Sequence, residues 1–382
     1  MLSTLLGTRL TLWLGPGVPI PAPLPVTEAL RNVEVTQVTA GRDGFQLTFS
    51  LPRGPFDIVD YSLLANPLLR PFSRVIVQVW SGPVPQVLID GVITHHQIAP
   101  EDTGSGATLT VTGEDLRVLM DLREIPMIYP QMTPEARVFL ILAKYAVFIG
   151  GAPIVIPARI PDVPLLIDRI PSQAGTDLAY VQRLAEDHGY VFYLEPTPVP
   201  MVNLAYWGPE NRLSIPQPAL SVNLGPQTNV SSLNFRYDAL QPETVLGVMQ
   251  ERRTRAPLPV VTVTGLKPPL AMLPATAIQA PYVRSVQPQG YSKLDAPQAF
   301  ARAQALTDRA ADAVTAEGEL DMLRYGSILR ARRIVGVRGA GALLDGFYYV
   351  SKVTHKIQPG SYTQHFTLTR EGLGAVSPVV MP

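Results

Sequence analysis

"RVIVQVWSGPVPQVLIDGVITHHQIAPEDTGSGATLTVTGED" (residues 74–115) and "RRIVGVRGAGALLDGFYYVSKVTHKIQPGSYTQHFTLTREG" (residues 332–372) carry the same features in the same order. Each opens on an Arg-led run of β-branched residues, turns at glycine and places a hydrophobic residue before Asp-Gly. Each then passes through a Thr-His pair, turns again and closes on Thr-Leu-Thr. The Asp-Gly pairs are Asp90-Gly91 and Asp345-Gly346; the Thr-His pairs are Thr94-His95 and Thr354-His355. β-Hairpins resemble one another by composition alone, and the spacing from Asp-Gly to Thr-His differs between the copies. Agreement over a whole strand-turn-strand-turn-strand unit still predicts an internal duplication. Two like units per chain would let a trimer present six, which matters wherever threefold and sixfold symmetry meet.

Outward from these copies the chain divides into three stretches. Residues 1–115 read as β structure: "NVEVTQV", "GFQLTFSL", "RVIVQVW", "VLIDGVITHHQI" and "ATLTVTG" alternate, are rich in β-branched residues and are separated by Gly, Pro and Asp turns. Five such strands suggest a small barrel or sandwich. Residues 116–225 change character. "GEDLRVLMD" reads as a short helix, and "MTPEARVFLILAKYAVFIG" as a longer one, with Thr133 placed to cap, Pro134 at the first helical position and Glu135 in the first turn. The apolar content of that helix on nearly all faces predicts burial. In "DLAYVQRLAEDHGYVFYLEP", Thr176 or Asp177 caps a helix with Leu178, Val181, Leu184 and Ala185 on one face, Gly189 supplies the left-handed stop, and "YVFYLE" continues as a strand. Residues 226–382 open on "TNVSSLNFRYDA", with Leu233, Phe235 and Tyr237 on one side of a strand, and carry a helical insertion at about 290–318 before the second copy.

Composition bounds the function. Lys plus Arg and Asp plus Glu are each 31, so the 382-residue chain is formally neutral, which argues against a protein whose main work is gripping nucleic acid or an anionic membrane. Charged residues are 16% and hydrophobic ones 46%; against a usual charged fraction of roughly 25%, this predicts an obligate oligomer or a part of a larger assembly. The 39 prolines predict short segments, and the absence of cysteine excludes disulfides, thiolate metal sites and cysteine nucleophiles. In "MLSTLLGTRLTLWLGPG" no Lys or Arg precedes the apolar run and Arg9 interrupts it, so the expectation is an edge strand around Thr8 to Leu14 and no signal peptide. No run approaches the ~18 apolar residues of a membrane span.

Five stretches together resemble a known family: "GFQLTFSL", "VTGEDLRVLMDLRE", "TDLAYVQRLAEDHGYVFYLEP", "TNVSSLNFRYDAL" and above all "GELDMLRYGSILRARRIVGVRGAGALLDGFYYVSKVTHKIQPGSYTQHFTLTREGLG" (residues 318–374). The family is the central hub of contractile tails: the late control D protein of phages, the baseplate hub of extracellular contractile injection systems and the N-terminal half of VgrG spikes. The resemblance implies a mainly β fold with α/β insertions. It would comprise two tube-like β-barrel domains (1–115 and 226–382) and a middle α/β domain (116–225), assembled as a pseudo-sixfold homotrimer. It implies a non-enzymatic role without cofactor, adapting a hexameric tube or tube-initiator protein above to a threefold spike below. Baseplate wedge proteins, and a tape measure protein or cargo in the lumen, are the further partners. The particle would be assembled in the producing cell's cytoplasm. Only "AVSPVVMP" follows the second copy here, so the spike is expected to be a separate trimeric polypeptide.

His95 and His96 lie near Glu101 and Asp102, but adjacent strand residues point to opposite faces, so one site cannot easily use both rings. His355 and His365 flank a turn near Pro359-Gly360 that would oppose them, yet two rings without a third ligand make no metal site unless a trimer axis supplies more. His188 ends a helix, where an imidazolium suits the dipole. Glu186 and Asp187 are neighbours that do not face each other, unlike the paired acids of glycoside hydrolysis. No H-E-x-x-H, G-x-S-x-G or Walker-type loop occurs, and "GVRGAGALLDG" joins strands instead of opening a helix. Arg252, Arg253, Arg255, Arg330, Arg332, Arg333 and Arg338 could line a lumen, pair across a subunit seam or lie on exposed strand faces, with subunit contact favoured. The expectation is therefore no catalytic, cofactor or metal residues. The alternatives are a tail-associated cell-wall hydrolase and a glycan-binding β-sandwich adhesin.

Overall fold

The computed structural model describes residues 9–52, 63, 66–82, 84–100, 106–164, 170–251, 255–287, 290–291 and 294–376. The fold is mainly β. Among these residues thirteen strands join one sheet. In chain order they are β1 (Arg9–Gly15), β2 (Ile20–Pro21), β3 (Leu30–Val38), β4 (Gly44–Pro52), β5 (Arg74–Trp80), β6 (Pro85–Pro100), β7 (Gly106–Asp115), β8 (Gln217–Ser221), β9 (Ser232–Tyr237), β10 (Val314–Asp321), β11 (Ile334–Arg338), β12 (Gly346–Gln358) and β13 (Ser361–Arg370). The spatial order is β9-β10-β13-β12-β3-β4-β7-β6-β5-β1-β2, with β11 beside the start of β12 and β8 parallel to β11. Among the described residues four α-helices of six residues or more accompany it: α1 (Leu24–Ala29), α2 (Pro134–Lys144), α3 (Asp177–Asp187) and α4 (Ala296–Ala310).

Alternation sets the faces. In β3 and β13 one residue in two is buried, Val33 and Val35 in the first and Tyr362, Gln364, Phe366 and Leu368 in the second, while Glu34, Thr36, His365 and Thr367 point the other way. The sheet then reveals the duplication as topology. The path β3-β4-β7-β6-β5 in the first unit matches β9-β10-β13-β12-β11 in the second, every neighbouring pair antiparallel. A bulge falls at the same place in both units, between Ile93 and His95 in β6 and between Val350 and Lys352 in β12. With the bulges aligned, Thr94 corresponds to Ser351 and His95 to Lys352, so neither the Asp-Gly nor the Thr-His pairs occupy equivalent positions. The two copies share the order of strands, and the dipeptides do not mark equivalent positions within it.

Where β7 ends, "GEDLRVLMD" splits. Gly113 to Asp115 stay in the strand because β4 and β6 both pair with them. Asp115 then caps a 3-10 turn over Leu116–Asp121 by accepting from Arg117 N at 2.8 Å. The expected edge strand near residue 8 is β1, and the two-residue β2 covers only its Trp13 and Leu14.

In the middle region Thr176 caps α3, its Oγ1 accepting from Ala179 N at 3.2 Å, and Leu178, Val181, Leu184 and Ala185 are buried as the spacing predicts. Gly189 has φ +66 and turns the chain into the strand Val191–Pro196. Trp207, Tyr190, Val138 and Ile141 complete this core. The expectation of a buried α2 is corrected. Val138, Ile141 and Leu142 are buried, but Phe139 and Leu140 are exposed, as are Phe148 and Val147 in the following turn, Val147 at 88%. Nor does Thr133 make a side-chain cap bond. A separate small core joins α4 to the strands Glu243–Gln250 and Pro257–Thr262 through Val245, Met249, Val260, Ala299 and Ala303. Among the described residues no helix is long and apolar enough to cross a membrane.

Close strand packing makes Gly113 obligatory. A Cβ there would meet Val92 O at 2.2 Å and the Phe45 ring at 2.3 Å, and the backbone obstacle cannot rotate away. Gly113→Ala should destabilise the fold by about 1–3 kcal/mol, read as a lowered denaturant midpoint; an unchanged midpoint would contradict this packing.

Candidate assembly surface

The surface that distinguishes this chain is the polar face of the long sheet, together with the junction in its middle and the strand edges at its margins. At the junction β3 and β12 pair antiparallel, with Val33 opposite Ile357, Val35 opposite His355, Thr36 opposite Thr354 and Val38 opposite Lys352. The polar side brings the Thr36 and Thr354 hydroxyls to 3.1 Å and sets Glu34 opposite Lys356. The buried side fuses the two units: Ile357, Tyr362, Met322 and Ile328 from the second pack into the core built by Val33, Val35, Leu47 and Val111 of the first.

A buried ion cluster closes one end of this junction. Asp43, at the turn into β4, accepts from Arg332, which also donates to Val38 O at 2.8 Å and lies 4.4 Å over the Tyr193 ring. Asp115 binds Arg117 at 2.6 Å and accepts from Asp43 N at 2.8 Å, while Arg117 donates to Phe192 O at 2.7 Å. One network thus ties both units to the middle region. Burial raises the Asp43 carboxyl above its ordinary range, against the pull of Arg332 and Arg117. For Asp115, burial is outweighed by Arg117, and the carboxyl is lowered. A second cluster sets the buried Arg212 on Glu210, Asp312 and Glu371, with Lys267 3.0 Å from Glu210 and 3.1 Å from Asp312.

The arginines expected at a subunit seam are mostly used within the chain. Arg332 is in the first cluster, Arg333 pairs with Glu195 at 2.9 Å, Arg330 donates to Gln86 Oε1 at 3.1 Å and Arg338 to Ser221 Oγ at 2.7 Å. Their acceptors lie more than a hundred residues away in sequence, which is why spacing suggested an external partner. Arg255 is exposed, and Arg252 and Arg253 fall outside the described residues.

The histidines are dispersed. His355 pairs in register with Gln364 and His365 with Thr354, so the two rings lie on opposite faces of the sheet and cannot share an ion. His355 is 0% exposed, its Nδ1 2.9 Å from Tyr362 Oη and 3.1 Å from Gln364 Nε2, and burial pushes its pKa down to about 3. His365 lies 3.8 Å from Glu319 on the polar face. His95 and His96 are both exposed, and Glu101 and Asp102 fall outside the described residues. His188 does end α3, but it packs against Tyr190 and Trp207, and burial lowers its pKa, which disfavours the imidazolium a dipole would want. Asp187 is held by Arg302 at 2.7 Å and Glu186 is exposed, so the two acids share no cleft. Asp177, read as a candidate cap, is instead fully buried and accepts from Gln173 at 2.7 Å and Tyr145 at 2.9 Å. Among the described residues no three His, Cys, Asp or Glu are grouped to hold a metal.

Two shallow polar grooves repeat with the units. Glu34, Gln46, His95 and Thr112 line one; their equivalents Asn234, Glu317, Lys352 and Thr367 line the other. Such grooves offer hydrogen-bonding groups.

No protein-family model matches the sequence, and no curated protein matches it. Solved structures do match. A tail protein from Neisseria meningitidis MC58 aligns over 96% of this chain and 98% of its own, with TM-score 0.62 and 15% identity. The 43 kDa tail protein of prophage MuSo2 from Shewanella oneidensis aligns over 95% and 98%, with TM-score 0.65 and 13% identity. The chain has the fold of these tail proteins. The same fold extends to the E. coli c3393 protein, a type VI secretion system component described as similar to T4 bacteriophage tail proteins, over 92% of this chain and 77% of that one, with TM-score 0.53 and 14% identity.

Two outcomes test the junction of this tail-protein fold. Arg332→Ala leaves Asp43 buried without its nearest cation and should cost about 3–5 kcal/mol by denaturant unfolding. A change below 1 kcal/mol would contradict the cluster. The second concerns pH. The folded His355 stays neutral down to about pH 3, whereas the unfolded ring protonates near its ordinary value of about 6.5. This group's stabilisation is therefore complete above pH 6.5 and is lost as pH falls from there towards 3, by about 2 kcal/mol at pH 5. His355→Gln should flatten the stability profile between pH 7 and 5 relative to the parent, with His188 contributing alike to both proteins.

Proposed function

We propose that the protein is the structural central hub of a contractile tail or injection-system baseplate, a homotrimer that adapts a sixfold inner tube to a threefold spike. The observation that carries this reading is the duplicated sheet unit joined edge to edge within one chain. Three chains then supply six like units, and a closed ring of them has sixfold character at the sheet and threefold character wherever the units differ. In this reading the chain has three parts, with boundaries near 115 and 225: two tube-like β-barrel domains that build the ring and a middle α/β domain on its outside.

The mechanism is geometric. A tube or tube-initiator ring stacks on one end, a separate trimeric spike seats on the other, and wedge proteins grip the periphery. Tape measure protein or cargo would meet the polar sheet face, where Thr36, Thr112, Thr354 and Thr367 dilute the mixed charges of Glu34, Glu319, Lys352 and Lys356. The site would be a contractile particle assembled inside the producing cell. The exposed apolar residues of α2 and its following turn, with Leu213 and Ile215 in the loop before β8, are suited to contacts with these other chains. The tail-protein fold of the structures above supports a tail component.

Light scattering or native mass measurement of the purified chain should give three times the mass of one 382-residue chain, and images should show threefold views. A protein that stays monomeric even with its spike protein present would refute the hub. Clearing of peptidoglycan in a zymogram would favour the cell-wall hydrolase instead, and specific binding on a glycan array the adhesin.

A further inference from the structure

The internal repeat has one asymmetry. In the second unit β12 is paired along both sides: β13 lies along one, while on the other β11 covers residues 346–349 and β3 covers 352–357. In the first unit β6 is paired with β7 along one side and with β5 over residues 85–92 on the other, and no strand among the described residues takes the place of β3 beside residues 95–100. The consequence is visible in burial. Val353, Thr354 and His355 are buried, and the corresponding His96, Gln97 and Ile98 are all exposed, Ile98 at 44%. At the far end of the sheet the counterpart of β3, which is β9, pairs among the described residues only with β10 and offers its other edge. The chain therefore carries one filled junction and the two halves of a second, unfilled one.

We propose that these halves meet between copies. The outer edge of β9 in one chain pairs antiparallel with residues 95–100 of β6 in a second chain, in the register that β3 and β12 use within one. This rests on the ring reading above and specifies how the ring closes. Carrying the internal register across the repeat, Leu233, Phe235 and Arg236 correspond to Val33, Val35 and Thr36, because each holds the same place against β10 or β4. Pro100 then falls opposite Leu233, Ile98 opposite Phe235, Gln97 opposite Arg236 and His95 opposite Asp238.

The chemistry suits each face. Pro100–Leu233 and Ile98–Phe235 stand where Ile357–Val33 and His355–Val35 fill the core of the internal junction, so the exposed Pro100 and Ile98 would be buried against the half-buried Leu233 and Phe235. Gln97–Arg236 stands where Thr354 and Thr36 meet on the polar face, and His95 would face Asp238 as a hydrogen-bond partner. Apart from Pro100 at the end of one, neither edge is guarded in the usual way: residues 95–99 and 232–237 contain no Lys, no Pro and no inward-pointing charge. A link between two different edges of the same chain is head to tail, and it ends in a ring when the rotation closes.

The chain has no cysteine, so introduced thiols report only on themselves. The test uses the full chain carrying Gln97→Cys with Arg236→Cys, or Ala99→Cys with Asn234→Cys, under mild oxidation. Directly opposed Cβ atoms lie about 4.5–5.5 Å apart, within disulfide reach. Non-reducing electrophoresis should show two- and three-chain species for both pairs, and only two-chain species when the single variants Gln97→Cys and Arg236→Cys are mixed. The offset pair Gln97→Cys with Ser232→Cys, four residues or about 13 Å out of register, should stay at one chain. Equal cross-linking of the offset pair would overturn the register. Absence of cross-links in a protein whose mass is still that of three chains would overturn the edge pairing and leave the hub standing; absence in a monomeric protein would overturn both.

Discussion

A strand's backbone N–H and C=O groups must find partners wherever water is excluded, and in this chain the pairing of β3 with β12 satisfies that demand across the greatest distance in sequence. Everything else in the large sheet is arranged around it. Without that ladder the two units would each end on an open edge, their cores would lose the shared contributions of Ile357 and Tyr362, and Asp43 would have no Arg332 to meet. The junction is thus at once a hydrogen-bonded seam, a core and the site of a buried ion pair.

The sparse charge of the sequence takes on meaning from this arrangement. Several of the ions are interior. Arg117, Arg212 and Arg370 are among the most deeply buried side chains; Arg370 lies 4.3 Å over the Tyr348 ring and donates to the carbonyls of Gly372, Asp345 and Leu343. Such groups add little net stability over an apolar core, but removing one partner is costly, so they restrict the ways in which the three parts can dock. Large apolar groups meanwhile stand on the surface, among them Val147, Leu213 and Ile215.

Much of the fold was legible in the sequence, for reasons that differ by element. Alternation located β3, β4, β7 and β9, because a half-buried sheet requires a period of two. The strands β5 and β6, buried on both faces over much of their length, were legible by their β-branched residues. Thr176, Gly189 and the four apolar residues of α3 gave that helix its start, stop and buried side, because those signals are local. The duplicate units were visible as an order of strands. What escaped was whatever depends on partners far along the chain. The burial of Asp177 depends on Gln173 and Tyr145 folding over it, and Arg332 and Arg333 look unpaired until Asp43 and Glu195 arrive from other parts. The continuity of the sheet was hidden too, since β3 reads alike whether it ends a barrel or continues into another. The exposure of Phe139 and Leu140 defeated the periodicity of α2, because a helix that is apolar all round says that its faces are covered without saying by which chain.

The β3–β12 seam also sets a schedule. Residues 30–38 leave the ribosome early, but the strand that completes their core is made only after some 310 further residues. Until then the first unit carries an unpaired strand and an unfinished interior, the kind of species that joins wrong neighbours. The last step of its folding therefore waits for residues 346–358 and is dominated by long-range contacts, which are slow to form. A producing cell that makes many copies at once would hold a population of nascent chains with exposed edges, and such chains call for chaperone protection until residue 358 has been synthesised.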